Sequence, residues 1–167
     1  MATEVLYISE NKLKDSTSIS SNVDTEHLLP HIKTAQDKWI LTKLGTDLHK
    51  KLQSDIQNST LSGNYATLVN DYIAPALVHW VMFEAILFLG FKIMNKSIVQ
   101  KNSETGTPAS THDIKFIKEE VRNTAEFYSQ RLVDYLCNNE SLFPEYNTNT
   151  GADVKPSKKN YFSGMNL

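Results

Sequence analysis

The chain has 167 residues, with 17 Lys and Arg against 19 Asp and Glu, a net charge of −2 and a single cysteine. That length suits one domain, which buries roughly 70% of its unfolded surface and needs no staple. The charge excludes an overall basic nucleic-acid binder, and a lone Cys137 excludes an internal disulfide. The opening MATEVLYISENKLKD has no basic stretch followed by an apolar run, so a secretory signal is not expected.

Residues 1–23 read as an N-terminal arm. Val5-Leu6-Tyr7-Ile8 is a short apolar run, Ser9 is placed to cap a helical turn, and Asp15 to Asn22 is turn chemistry. An apolar tetrad on a polar tether reads as a docking arm or as part of its own core. Residues 24–138 read as the helical body. Asp24 is an N-cap candidate. Leu28, Leu29, Ile32, Ala35, Trp39 and Ile40 then form one stripe at three- and four-residue spacing, with Pro30 bending or starting the regular helix. Gly45 is expected to stop it, and Thr46 or Asp47 to cap a short helix, 47–57, built on Leu48, Leu52 and Ile56.

The stretch from Tyr65 to Met94 is apolar on nearly every side after Ile73, which places it in a core or in a membrane. Ile73–Phe91 is nearly long enough to span a bilayer, but Glu84 lies near its middle, and a mid-span acid costs roughly 2.5–3.5 kcal/mol. The expectation is a long central helix, kinked or restarted at Pro75, whose missing N–H leaves Asp71 without its partner. Residues 95–112 read as a projecting loop or loose hairpin with Ser97–Gln100 extended. The last helix is capped at Thr111 or Asp113. Ile114, Ile117, Val121, Ala125, Tyr128, Leu132 and Tyr135/Leu136 make its stripe, and it ends near Cys137-Asn138-Asn139. Residues 139–167 read as an extended C-terminal tail with two aromatic islands, Phe143-Pro144-Glu145-Tyr146 and Tyr161-Phe162-Ser163-Gly164-Met165. The expected architecture is an all-α bundle of four to five helices around the long hydrophobic central helix.

No catalytic, cofactor-binding or metal site emerges. His27 and His31 share a helix face, but the H-E-x-x-H pattern is absent. His79 beside Trp80 reads as a core histidine. Glu84 reads as facing a gap between helices or pairing with a base from the last helix. Cys137 has no activating neighbour, and no phosphate-loop, dinucleotide or nucleophile-elbow motif occurs. The residues singled out for partner binding are the apolar ones outside the periodic helices: Leu6, Tyr7, Ile8, Phe143, Tyr146, Tyr161, Phe162 and Met165.

The ordered landmarks carry a resemblance. They are Leu6-Tyr7-Ile8-Ser9-Glu10 with Leu13, the Val23-Asp24 helix start, Lys43-Leu44-Gly45-Thr46, Tyr72-Ile73-Ala74-Pro75-Ala76-Leu77, Met94-Asn95-Lys96, Tyr128…Tyr135-Leu136 and Leu142-Phe143-Pro144-Glu145-Tyr146. In this order the chain resembles head-to-tail connector (adaptor or head-completion) proteins of tailed bacteriophages, of the kind found in phages of Bacteroidetes including the crAss-like group. The resemblance implies a structural virion protein, not an enzyme, at the head–tail junction and made in the host bacterial cytoplasm. It implies a homo-oligomeric ring, commonly dodecameric, contacting the portal protein and the next connector or tail protein. Genome DNA would pass through without sequence-specific binding, with no membrane involved. The alternatives are a soluble helical interaction or regulatory adaptor domain outside a virion, and a membrane-associated protein using Ile73–Phe91. On this reading, deleting residues 147–167 leaves the monomer folded and weakens assembly.

Overall fold

The structure, a computed structural model, describes residues 5–17, 25–94, 97–100, 110–150 and 153–158, with the backbone alone for 25, 89–94 and 97–100. Six helices and one short ribbon make up the described chain. Helix α1 is Glu10–Ser16. Helix α2 runs continuously over 25–44, as Thr25–Ala35, a wide π-type turn Gln36–Ile40, and Leu41–Leu44. Helix α3 is Thr46–Gln57. Helix α4 covers 63–90, as Gly63–Thr67, a second π-type turn Leu68–Ile73, and Ala74–Gly90. Strands β1 (Phe91–Met94) and β2 (Ser97–Gln100) pair antiparallel with Phe91 opposite Gln100. Helix α5 is Thr111–Asn138, followed by a 3-10 turn, Glu140–Leu142, and helix α6, Pro144–Thr148.

The central-helix reading holds. Leu68, Ile73, Ala76, Leu77, Val81 and Ala85 of α4 are fully buried, and α5 and α2 pack against it. Length and hydropathy alone would let 63–88 cross a membrane. Here its core-facing side is buried against α2 and α5, while Leu87 and Phe88 near its end stay exposed. Pro75 neither breaks nor restarts the helix. The π-type turn directly ahead of it opens the backbone, as such turns do where the i→i−4 ladder is interrupted. Asp71 O, whose α-helical partner would be the absent N–H of Pro75, accepts from Arg131 Nη1 of α5 at 3.2 Å.

Two boundaries differ from the sequence reading. Helix α4 stops at Gly90, so Phe91–Met94 form a strand and not its last turn. Pairing with Ser97–Gln100 satisfies backbone groups that a frayed helix end would leave to water. At the start of α5 the cap is Ser110 and not Thr111. Its hydroxyl accepts from Asp113 N–H, and the Asp113 carboxylate accepts in return from Ser110 N–H, so Asp113 is the far half of a capping box. Asp24 lies outside the described residues.

The sequence leaves the arm open between docking and packing on its own core and expects an extended tail; the described residues of both, 5–17, 139–150 and 153–158, pack on the body. Ser9 caps α1 by accepting from Lys12 N–H at 3.2 Å, and Leu13 is fully buried. The buried amide of Gln36 clamps the arm on both sides: Tyr7 N–H donates to Gln36 Oε1 at 3.0 Å, and Gln36 Nε2 donates to Val5 O at 3.0 Å. At the other end, residues 149–150 and 153–157 strap across the corner between α2 and α3. Thr46 N–H donates to Val154 O at 2.9 Å, Asp47 N–H to Asn149 Oδ1 at 3.2 Å, and Ser157 N–H to Thr42 O at 2.9 Å. The strap thus caps the end of α2 and the start of α3 together, where the sequence pointed to the side chains of Thr46 or Asp47. Its closeness demands a glycine. Gly45 has φ 77° and ψ 163°, a region essentially reserved for glycine. A Cβ there would sit 2.7 Å from the Pro156 ring.

Gly45→Ala is expected to lower unfolding free energy by about 2 kcal/mol or more, from backbone strain and the Pro156 clash together, measured by urea titration. Truncation after residue 158 should leave the midpoint unchanged, whereas truncation after 146 should lower it sharply, because it strips the caps from α2 and α3.

Candidate functional site

The proposed partner-binding residues divide into three groups. Tyr7, Ile8, Phe143 and Tyr146 are withdrawn as docking residues, because their side chains are already buried in their own core. Leu6 is half-buried and packs against the same core. Tyr161, Phe162 and Met165 lie outside the described residues.

Tyr7 and Phe143 have specific internal partners. The Tyr7 hydroxyl lies 2.8 Å from His49 Nδ1, with the rings edge-on at 5.5 Å. Burial pushes the Tyr7 phenol well above its usual range and holds the His49 imidazole down to about 4. Phe143 meets Tyr65 edge-on at 5.5 Å, and Tyr135 at 5.9 Å. Tyr135 stacks on Tyr72 at 3.8 Å, and the Arg131 guanidinium lies over Tyr72 at 4.7 Å. One aromatic column therefore runs from the proline-induced gap in α4 to the Phe143 plug. Tyr65 closes it by donating to Glu145 Oε2 at 2.8 Å, and burial together with that carboxylate raises its phenol to about 12.

Glu84 is resolved as a structural acid. Its Oε1 accepts from Lys38 Nζ at 2.6 Å and from Trp39 Nε1 at 2.8 Å, both on α2 and not on the last helix. Burial alone would raise its carboxyl. The Lys38 and Trp39 hydrogen bonds and the charges of Lys38 and Lys118 outweigh that and hold it below the usual range. Trp39 stacks on Trp80 at 3.7 Å, and Trp80 Nε1 donates to Ser129 Oγ at 2.8 Å, so one cluster fastens α2, α4 and α5. His79 stacks on Tyr128 at 5.2 Å and is held below its usual pKa by burial. Among the described residues no group of three or more His, Cys, Asp or Glu could hold a metal ion. An open cleft of about 500 Å³ is lined by Asp15, Ser16 and Thr17 at the end of α1, His79 and Met82 of α4, and Glu120, Val121 and Thr124 of α5.

What remains on the surface is apolar and was missed from the sequence. Phe116 is 63% exposed and Phe127 58% exposed. They are eleven residues apart on α5, three turns, so both point away from the core. Ile117, Phe88 and Leu87 are exposed as well. The eleven-residue interval was readable, but Phe116 and Phe127 lie off the buried stripe on a face otherwise carrying Glu120, Asn123 and Arg131. They were absorbed into the solvated face. Ile117 was assigned to the buried stripe and is exposed, because the stripe outruns its cover near the start of α5.

This is an all-α bundle with a closed core and two exposed phenylalanines, Phe116 and Phe127, on the outer face of α5. The chain belongs to DUF6712, a family of unknown function, which matches residues 40–156. That span runs from the last residue of the π-type turn in α2 to Pro156, and so contains both sides of the Gly45 corner. No curated protein and no solved structure matches the chain.

Protonating His49 inside the core is unfavourable, so the unfolded chain binds more protons between its ordinary pKa and the depressed one. Stability attributable to this site is complete above about pH 6.5 and is lost as pH falls towards 4. His49→Asn, which keeps a polar partner for Tyr7 but does not titrate, should flatten that part of the curve in denaturant titrations at pH 4.5 and 7.

Proposed function

We propose that this chain is a structural virion protein: a subunit of a head-to-tail connector ring that docks under a phage portal and joins the DNA-filled capsid to the tail. The observation that carries the reading is the contrast between a body sealed by its own arm and strap and the large apolar residues left outside it. Exposed apolar clusters mark protein interaction surfaces, and Phe116 and Phe127 stand on a rigid helix, where ordering them costs little. The connector-like landmarks support the reading by where they fall. Lys43-Leu44-Gly45-Thr46 is the strapped corner, Tyr72–Leu77 carries the opened turn and Pro75, and Phe143-Pro144-Glu145-Tyr146 is the plug that closes the core.

The structure changes the mechanism attached to that reading. The arm through Thr17 and the tail through Lys158 stabilise the subunit, and assembly is assigned to the outer face of α5 and the end of the bundle bearing the ribbon. A ring needs two different patches per subunit, because head-to-tail contacts are heterologous. A soluble adaptor domain outside a virion would present the same helix face, so oligomeric state separates the two.

Native mass spectrometry over a wide concentration range, alone and with a candidate portal protein, should show a ring-sized species near twelve subunits. Phe116→Ser with Phe127→Ser should abolish it while shifting monomer stability by less than about 0.5 kcal/mol, as expected for exposed positions. A stable dimer, or a monomer that ignores the portal, would overturn the connector reading.

A further inference from the structure

The β1–β2 ribbon is a sheet of two strands. Among the described residues each strand pairs on one side only, leaving an outer row of backbone N–H and C=O groups with no strand beside it. Two strands alone are marginally stable in water and gain from a third. The sequences FKIM and SIVQ contain no proline and no acid, and Lys92 is the one charge among them, so little guards these edges against pairing. Among the described residues no strand other than these two is present.

A second observation marks the same end of the molecule. Contacts of Tyr72 with Tyr135 and of His79 with Tyr128 fix α4 and α5 as antiparallel. Continuing that register places Leu87 near the first turns of α5, while Phe88, at the same end of α4, meets His31 of α2 with ring centroids 5.2 Å apart. Phe116 and Ile117 then fall beside the base of the ribbon. Four of the seven exposed large hydrophobics among the described residues thus collar the ribbon.

We infer that the ribbon is completed by the ribbon of a second copy, β1 of one subunit pairing with β2 of the next. Resting on the connector reading, this names the contact that closes the ring. The backbone chemistry selects the occupant, since an open strand edge is satisfied by another extended strand. Each copy carries both kinds of edge, one on each side. Pairing β1 with β2 of a neighbour keeps the strands alternating in direction and leaves the same two edges free at the ends of the row. Such a row ends only when it closes on itself, as an up-and-down barrel does. The apolar collars of neighbouring subunits would meet below the paired strands and cover one another.

The test uses single-cysteine proteins in a Cys137→Ser background. Lys92→Cys and Val99→Cys sit on different strands, and separate chains prevent an intrachain bond between these facing positions. Mixed at equal amounts under copper–phenanthroline oxidation at a ring-forming concentration, they should give a disulfide-linked pair, with no such product from either variant alone. Amides of 91–94 and 97–100 should exchange more slowly in the assembled state. Crosslinking of Lys92→Cys with itself would mean a two-fold contact and would overturn the inference. A ring in native mass spectrometry without the mixed crosslink would sink the ribbon contact and leave the connector reading standing. Absence of both ring and crosslink would sink both.

Discussion

A helix apolar on every side must be surrounded, and the rest of this chain follows from meeting that requirement for α4. Helices α2 and α5 cover its core-facing side, and the residues that break its apolar character are each matched by a partner from those two helices. Glu84 is met by Lys38 and Trp39 of α2, and the carbonyl freed by Pro75 is met by Arg131 of α5. These pairings join α4 to both neighbours and so help to set the rotation of α2 and α5 about it. The Trp39–Trp80 stack then fixes the spacing.

The periodic parts of the fold were legible in sequence. The stripes of α2, α3 and α5, the central helix, the Ser9 cap and the extended Ser97–Gln100 all depend on short-range pattern, and the structure places them close to where the pattern does. What was not legible depends on distant partners. Nothing near Gln36 says that its amide will hold residues 5 and 7. Nothing near Thr46 says that its cap arrives from Val154, 108 positions later. The arm and the aromatic island at Phe143 looked available because they lack a helical period, yet a residue without periodicity can still fill a core. The reverse error hid Phe116 and Phe127, whose periodic placement on a polar face looked like solvation.

The connector reading and the ribbon inference draw on different features, the exposed side chains of α5 and the open backbone edges of the hairpin. Neither uses the strapped corner or the clamped arm. The subunit thereby separates what holds it together from what it offers to others, so that contacts between copies form without disturbing the core.

The strap also sets an order of events in time. Helix α3 begins at residue 46, but the groups that cap it lie at 149 and 154. On a ribosome adding roughly 5–20 residues per second, α3 exists for several seconds with its first N–H groups open to water. Contacts so far apart along the chain are slow to form, because loop closure precedes any gain from them. The corner therefore locks only after residue 154 has been made, and a polypeptide cut short before it never acquires that cap.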